Sequence, residues 1–221
     1  MMNEMLAVCA GVALASACGF RVFVPLFVAA LAVRAGLAAP VPSLAWIGSD
    51  LAIGMLGIAT VVEIVAYYVP WLDHALDTVA TPAAVVAGTL SVGVFAPGTL
   101  DPSLQWAMAL IVGGGSAGIV QAGTVLTRTV SGGTTLGLAN PVVATVENAG
   151  AITLAGLAVF LPVLGAFIAL LMLLLIVFGL RKLISVFRAR RATNIVQPTP
   201  VVQYATVRRV PPPLPDAYPV L

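Results

Sequence analysis

Apolar residues run in long stretches broken by a few polar positions, and the breaks divide the chain into six predicted helical segments. The first covers about residues 5–33. It exceeds one straight bilayer crossing of ~20 residues and is interrupted by Gly19, Arg21 and Pro25, which predicts a kinked or discontinuous helix. An irregular loop with Pro40 and Pro42 follows over 34–49. The second segment, 50–68, carries Glu63 inside it. Residues 70–78 read PWLDHALDT and are amphipathic at helical spacing. The third segment, 82–95, is short, so it is expected to be tilted or only partly spanning. PGTLDP at 97–102 reads as a loop.

The fourth segment, 104–126, holds the small-residue run Gly113, Gly114, Gly115, Ser116, Ala117, Gly118. A polar, glycine-rich connection over 127–140 separates it from the fifth segment. That segment starts at Pro141, where a first-turn proline loses no helical hydrogen bond, and runs to about residue 161. Pro162 marks a tight hairpin into the sixth segment, 163–180. Residues 192–221 have prolines, no periodicity and the run PPPLP, which predicts a disordered tail.

Composition turns this pattern into a fold class. The chain is 61% hydrophobic and 8% charged, against roughly 25% charged in soluble domains. So few charges cannot solvate a surface in water, whereas lipid tails accept apolar side chains on every helix face. The predicted architecture is an all-α polytopic membrane bundle over 1–182, with a basic, then proline-rich cytoplasmic tail over 183–221.

Seven of the ten basic residues lie after position 180, and five of those directly follow the sixth segment: Arg181, Lys182, Arg188, Arg190 and Arg191. That is the look of a cytoplasmic anchor rather than a nucleic-acid surface. With six crossings, both termini are expected in the cytoplasm of a multi-pass protein of the inner (plasma) membrane. The 70–81 and 127–140 connections then fall inside, and the 34–49 and 97–102 loops outside. An N-terminal signal peptide is not expected, because Glu4 and no Lys or Arg precedes the apolar run. Cys9 and Cys18 are nine apart on a helix and face opposite ways, so they read as small apolar residues rather than a disulfide.

A weak parallel repeat is visible at an offset of about 60 residues. GIATVVE and ATPAAVVAG in the first unit answer GIVQAGT and ANPVVATVENAG in the second. Some transporters carry such duplications, with sites at the repeat interface. Two apolar helices split by a proline would look similar without any duplication.

Ionisable groups in spans cost roughly 2.5–3.5 kcal/mol each and persist only when paired, hydrated or useful. Glu63, Glu147, Arg21, Asn148 and Arg128 are therefore the candidates for a polar pathway near the cytoplasmic side; structural ion pairing or snorkelling is the plainer account. All three buried charges, Arg21, Glu63 and Glu147, are expected to point into the bundle. Asp73, His74 and Asp77 form an acidic cluster, with the two aspartates on one helix face. They could bind a divalent metal or relay protons, but a water-facing interfacial helix anchored by Trp71 accounts for them as well. Asn140-Pro141 reads as a helix start with Asn140 as N-cap. The glycine run lacks a phosphate loop's Lys-Ser/Thr, so close helix packing explains it better. No nucleophile–base pair or zincin motif is present, which argues against an enzyme, and no cofactor can be named.

The run GFRVFVP over 19–25, then Glu63, Pro70, Asp73 and Asp77 with Thr81-Pro82, then Asn140, Pro141 and Glu147 resemble a bacterial membrane family catalogued as domain of unknown function 4126. The resemblance spans nearly all of 10–182. It implies a fold and a set of positions rather than a reaction. This chain departs from the family pattern in carrying Tyr67 and Tyr68 where a charged pair is expected after Glu63, and Asn148 where an acid is expected.

A small transporter or channel for an ion or small solute is the favoured expectation. A non-transporting scaffold, partner subunit or lipid-interacting protein is the alternative. The lipid bilayer is the expected partner, with self-association left open.

Overall fold

The computed structural model describes residues 4–96 and 100–195. Two units divide the chain, residues 1–182 and 183–221. The first holds helices α1 (Glu4–Cys18), α2 (Phe23–Arg34), α3 (Asp50–Ala66), α4 (Pro70–Phe95), α5 (Pro102–Met108), α6 (Gly115–Thr135) and α7 (Asn140–Phe160), and α8 as far as Lys182. In the second unit, residues 183–195 complete α8, which spans Pro162–Ile195. A 3-10 helix fills Pro42–Gly48 and a π-helical segment Ala109–Gly114. Among the described residues there is no strand, so the chain is an all-α protein.

Four helical stretches are long and apolar enough to cross a bilayer: Ala75–Phe95, Pro102–Thr135, Asn140–Phe160 and Pro162–Val186. The pair Pro42–Gly48 and Asp50–Ala66, bent by 66°, makes a fifth if counted as one span. α1 and α2 are each too short to cross alone. Large apolar side chains cover the outside, as on α3, where Leu51, Met55, Ile58, Val61, Val62 and Val65 are exposed. In water such a face would aggregate; in lipid it is the solvated surface.

α1 forms the centre, in contact with α2, α4, α6 and α7. Its buried face is built from Ala10, Gly11, Ala13, Ala15, Ser16 and Ala17, small residues that let neighbouring backbones come close. The same device joins α4 to the π-helical segment. A Cβ on Gly88 would lie 2.4 Å from the Gly113 carbonyl oxygen, and one on Gly113 would lie 2.3 Å from that of Gly88.

Several sequence expectations need correction. Residues 70–95 form one helix rather than an amphipathic piece followed by a short third segment. Pro82 sits inside it, and the Thr81 hydroxyl donates to the Asp77 carbonyl at 3.1 Å, bonding the turn that the proline weakens. The connection at 127–140 is helical as far as Thr135, with the Thr129, Thr134 and Thr135 hydroxyls folded back onto carbonyls one turn earlier. The loop at 34–49 contains the 3-10 helix, which buries Leu44 and Ile47.

Asn140 is not the cap of α7. It is the helix's first residue and is buried, while Ala139 takes the capping position. Leu136 and Gly137, at φ 53 and 84, have already turned the chain, and Thr135 accepts the Ala139 N–H at 3.2 Å. The two prolines of the suggested repeat thus differ in setting, Pro82 within a helix and Pro141 at the start of one. The sixth segment does not end near 180 but continues as α8 to Ile195, so residues 192–195 of the tail expected to be disordered are helical. The rest of that tail and residues 97–99 of the PGTLDP loop lie outside the described residues; Pro102 of that loop already opens α5.

Candidate functional site

The break between α1 and α2 places a charged residue at the centre of the bundle. α1 closes with Phe20 and Arg21 N–H groups bonded to the Ala17 carbonyl at 3.0 and 3.2 Å. Gly19 is required there, because a Cβ would lie 2.4 Å from the Val120 Cβ and 2.5 Å from the Ala117 oxygen. α2 then begins with free amide donors and no side-chain cap of its own. Glu63 of α3 supplies one from across the bundle. Its two oxygens accept the Val22 N–H at 2.7 Å and the Phe23 N–H at 2.9 Å. A carboxylate at a helix N-terminus also gains from the aligned peptide dipoles.

Arg21 turns away from that carboxylate towards α7. Its Nε donates to Asn148 Oδ1 at 2.5 Å and its Nη1 to Glu147 Oε2 at 2.9 Å. Nη1 also reaches the Phe20 carbonyl at 2.8 Å, and Nη2 the Ala144 carbonyl at 3.1 Å. Arg128 of α6 approaches Glu147 from the other side. Its Nε donates to Oε1 at 3.2 Å, and its Nη2 bonds Oε2. The remaining arm of Arg128 extends to Asp77 of α4 at 3.4 Å. Arg21 is 1% exposed, Glu147 4% and Arg128 6%, so these are pairs removed from water.

Tyr67 completes the cluster. The guanidinium carbons of Arg21 and Arg128 lie 4.0 and 4.1 Å from its ring centroid. Like charges so close would repel; the aromatic ring attracts both and Glu147 bridges them. Tyr68 links α3 to α7, its hydroxyl 3.0 Å from that of Thr145 and accepting from Asn148 Nδ2 at 3.3 Å.

Two apolar cavities flank the cluster. One, of about 390 Å³, lies among Phe20, α6, α7 and α8, with Glu147 at its wall. The other, of about 440 Å³, lies among Val22, Phe23, α3 and α4, with Glu63 at its wall. The helix break therefore borders each of them, Phe20 the first and Val22 with Phe23 the second.

The structure brings together Arg21, Arg128, Glu147 and Asn148. Glu63 joins them through the break rather than by facing Glu147. Asp77 of the expected acidic cluster pairs with Arg128. The side chains of Asp73, His74 and Trp71 lie outside those described; among the described residues no group of three metal-ligand types is gathered. Sequence reasoning missed Tyr67, which appears there only as a departure from a family pattern. Its signal was its position one helical turn after Glu63, on the same face.

The family model described as Domain of unknown function (DUF4126) matches residues 8–182. No curated protein and no solved structure matches the chain.

Proposed function

We propose that this chain, which belongs to the DUF4126 family, is a small transporter or channel for an ion or small solute. Its working site is the α1–α2 break with Glu63, Glu147, Arg21, Arg128 and Asn148. The observation that carries the reading is the discontinuous first helix, whose second half starts inside the bundle beside a buried charge cluster. Transporters place solute sites at such half-helix ends, where unspent backbone groups and buried charges can be exchanged for a passenger.

In this reading α1 and α2 cross together as one broken span. Six crossings then put both termini in the cytoplasm of an inner-membrane protein. Asp77 pairs with Arg128 although 51 residues separate them. That supports placing the start of α4 and the end of α6 at one end of the bundle, as this topology requires.

The rival reading is a non-transporting scaffold or lipid-interacting protein. It is favoured by the completeness of the pairing, since Glu147 accepts from both arginines. Purified protein in proteoliposomes, assayed against a panel of ions and small solutes, separates the two. Transport predicts flux that Glu147→Gln lowers at least about tenfold while the protein stays folded in detergent. Absent wild-type flux, with Glu147→Gln only lowering the melting temperature, would sink the transport reading. Breaking a buried pair costs roughly 3–5 kcal/mol, so the scaffold effect would be large.

A further inference from the structure

Among the described residues, the charges gathered around the helix break do not balance. Arg21 and Arg128 supply two positive charges; Glu147, Asp77 and Glu63 supply three negative ones. Glu147 and Asp77 take up the two arginines. Glu63, 7% exposed, makes no ion pair within 4 Å among the described residues, and its carboxylate is held by amides at the start of α2, Val22 and Phe23 among them. A helix N-terminus offers roughly half a unit charge, which leaves a surplus of negative charge in an apolar setting.

That surplus faces a space. The cavity of about 440 Å³ between α2, α3 and α4 ends on Glu63. Its other walls include Phe23, Met55, Ile58, Val62, Leu76 and Val79, all apolar. The Tyr67 ring already meets two guanidinium groups, and Phe23 offers an occupant a further aromatic surface. A hydrated metal ion would find one carboxylate and no further oxygen cage here, which suits neither magnesium nor calcium. An anion would meet Glu63 itself. An apolar body bearing one positive charge matches every wall.

We infer that this cavity binds a lipophilic organic monocation, such as a quaternary ammonium or protonated amine, with Glu63 as its counter-ion. The inference deepens the transport reading by naming the class of passenger. It depends on that reading for what the binding serves, not for whether binding occurs. The cation would approach through the lipid-facing mouth of the cavity, where α3 exposes Met55, Ile58 and Val62. Its charge then replaces what the fold leaves uncompensated, while Arg21 and Arg128 stay locked by Glu147.

Equilibrium binding in detergent tests this without any flux. The probes are benzyltrimethylammonium and its neutral carbon isostere, neopentylbenzene. The cation should bind the wild-type protein at least about tenfold more tightly than the isostere, the scale of a desolvated charge contact. Glu63→Gln should erase that preference and leave isostere binding within about twofold. Should Glu63→Gln fail to fold, Met55→Trp decides instead, since it fills the cavity from its lipid-facing rim. It should weaken both probes about tenfold. Equal binding of cation and isostere to the wild type, or a cation preference that survives Glu63→Gln, would overturn the inference. So would cation binding that Met55→Trp leaves unchanged. Cation binding without flux in proteoliposomes would uphold the inference and reject transport.

Discussion

Arg21 is the residue on which the cluster turns. It is the largest side chain so nearly withdrawn from solvent, and all its contacts depend on the planar fork of a guanidinium. Lysine would keep the charge and lose the simultaneous reach to Asn148, Glu147 and Ala144. Arg21→Lys should therefore lower stability by about 2–3 kcal/mol, and Arg21→Met by about 3 kcal/mol or more, because each leaves buried acceptors short of donors. Unfolding titrations in mixed micelles measure both. Equal stability of Arg21→Lys and wild type would show that charge alone matters there. The presence of charged residues inside the bundle was legible in the sequence, because hydrocarbon forbids their facing outward. Their pairing was not. Arg21 and Glu147 stand 126 positions apart, and no local spacing rule connects them. The pairing of Asp77 with Arg128 was hidden for the same reason, since 51 residues separate them.

At the scale of helices, hydropathy located the apolar segments well and their ends poorly. Proline usually ends a helix, so the sequence predicts a boundary at Pro82, yet α4 passes through it. Gly132, Gly133 and the threonines read as loop, yet α6 runs through them, and the threonine hydroxyls bond carbonyls within the helix instead of drawing the backbone out of it. The discontinuity of the first segment was legible from Gly19, Arg21 and Pro25, since an apolar run of that length needs a break. Glycine roles also separate at this scale. Gly88 meets the Gly113 backbone at a distance no Cβ tolerates, whereas Gly115 has nothing within 4 Å. Gly88→Ala should cost about 1–3 kcal/mol through forced separation of α4 from the π-helical segment. Gly115→Ala should be neutral or stabilising by a few tenths of a kcal/mol to about 1 kcal/mol, as in an ordinary helix. Thermal melts of the two variants side by side check this; similar losses in both would mean the crossing is not as tight as described.

For the whole molecule, the proposed orientation rests on the basic residues that come after the last apolar segment. A reporter fused at residue 98 should read outside and one at residue 192 inside. The reverse pair, or two fusions on one side, would rule out the six-crossing arrangement. The all-α membrane class was legible from composition alone, because 8% charged residues leave no other solvent for the surface. The number of crossings was less so. It hangs on whether α1 and α2 act as one span, and each is shorter than the bilayer is thick.

The ion pair between Arg21 and Glu147 also sets a schedule. A ribosome that has just released Arg21 must add another 126 residues before its carboxylate partner exists, roughly 6–25 seconds at ordinary elongation rates. Glu63 arrives earlier and can secure the amides of α2, but it leaves the guanidinium unanswered. Until α7 emerges, the break between α1 and α2 carries a charge without its carboxylate partner, which hydrocarbon disfavours, so this stretch is expected to settle in the bilayer late. The central helix of the finished bundle is then among the first parts to be made and among the last to be settled.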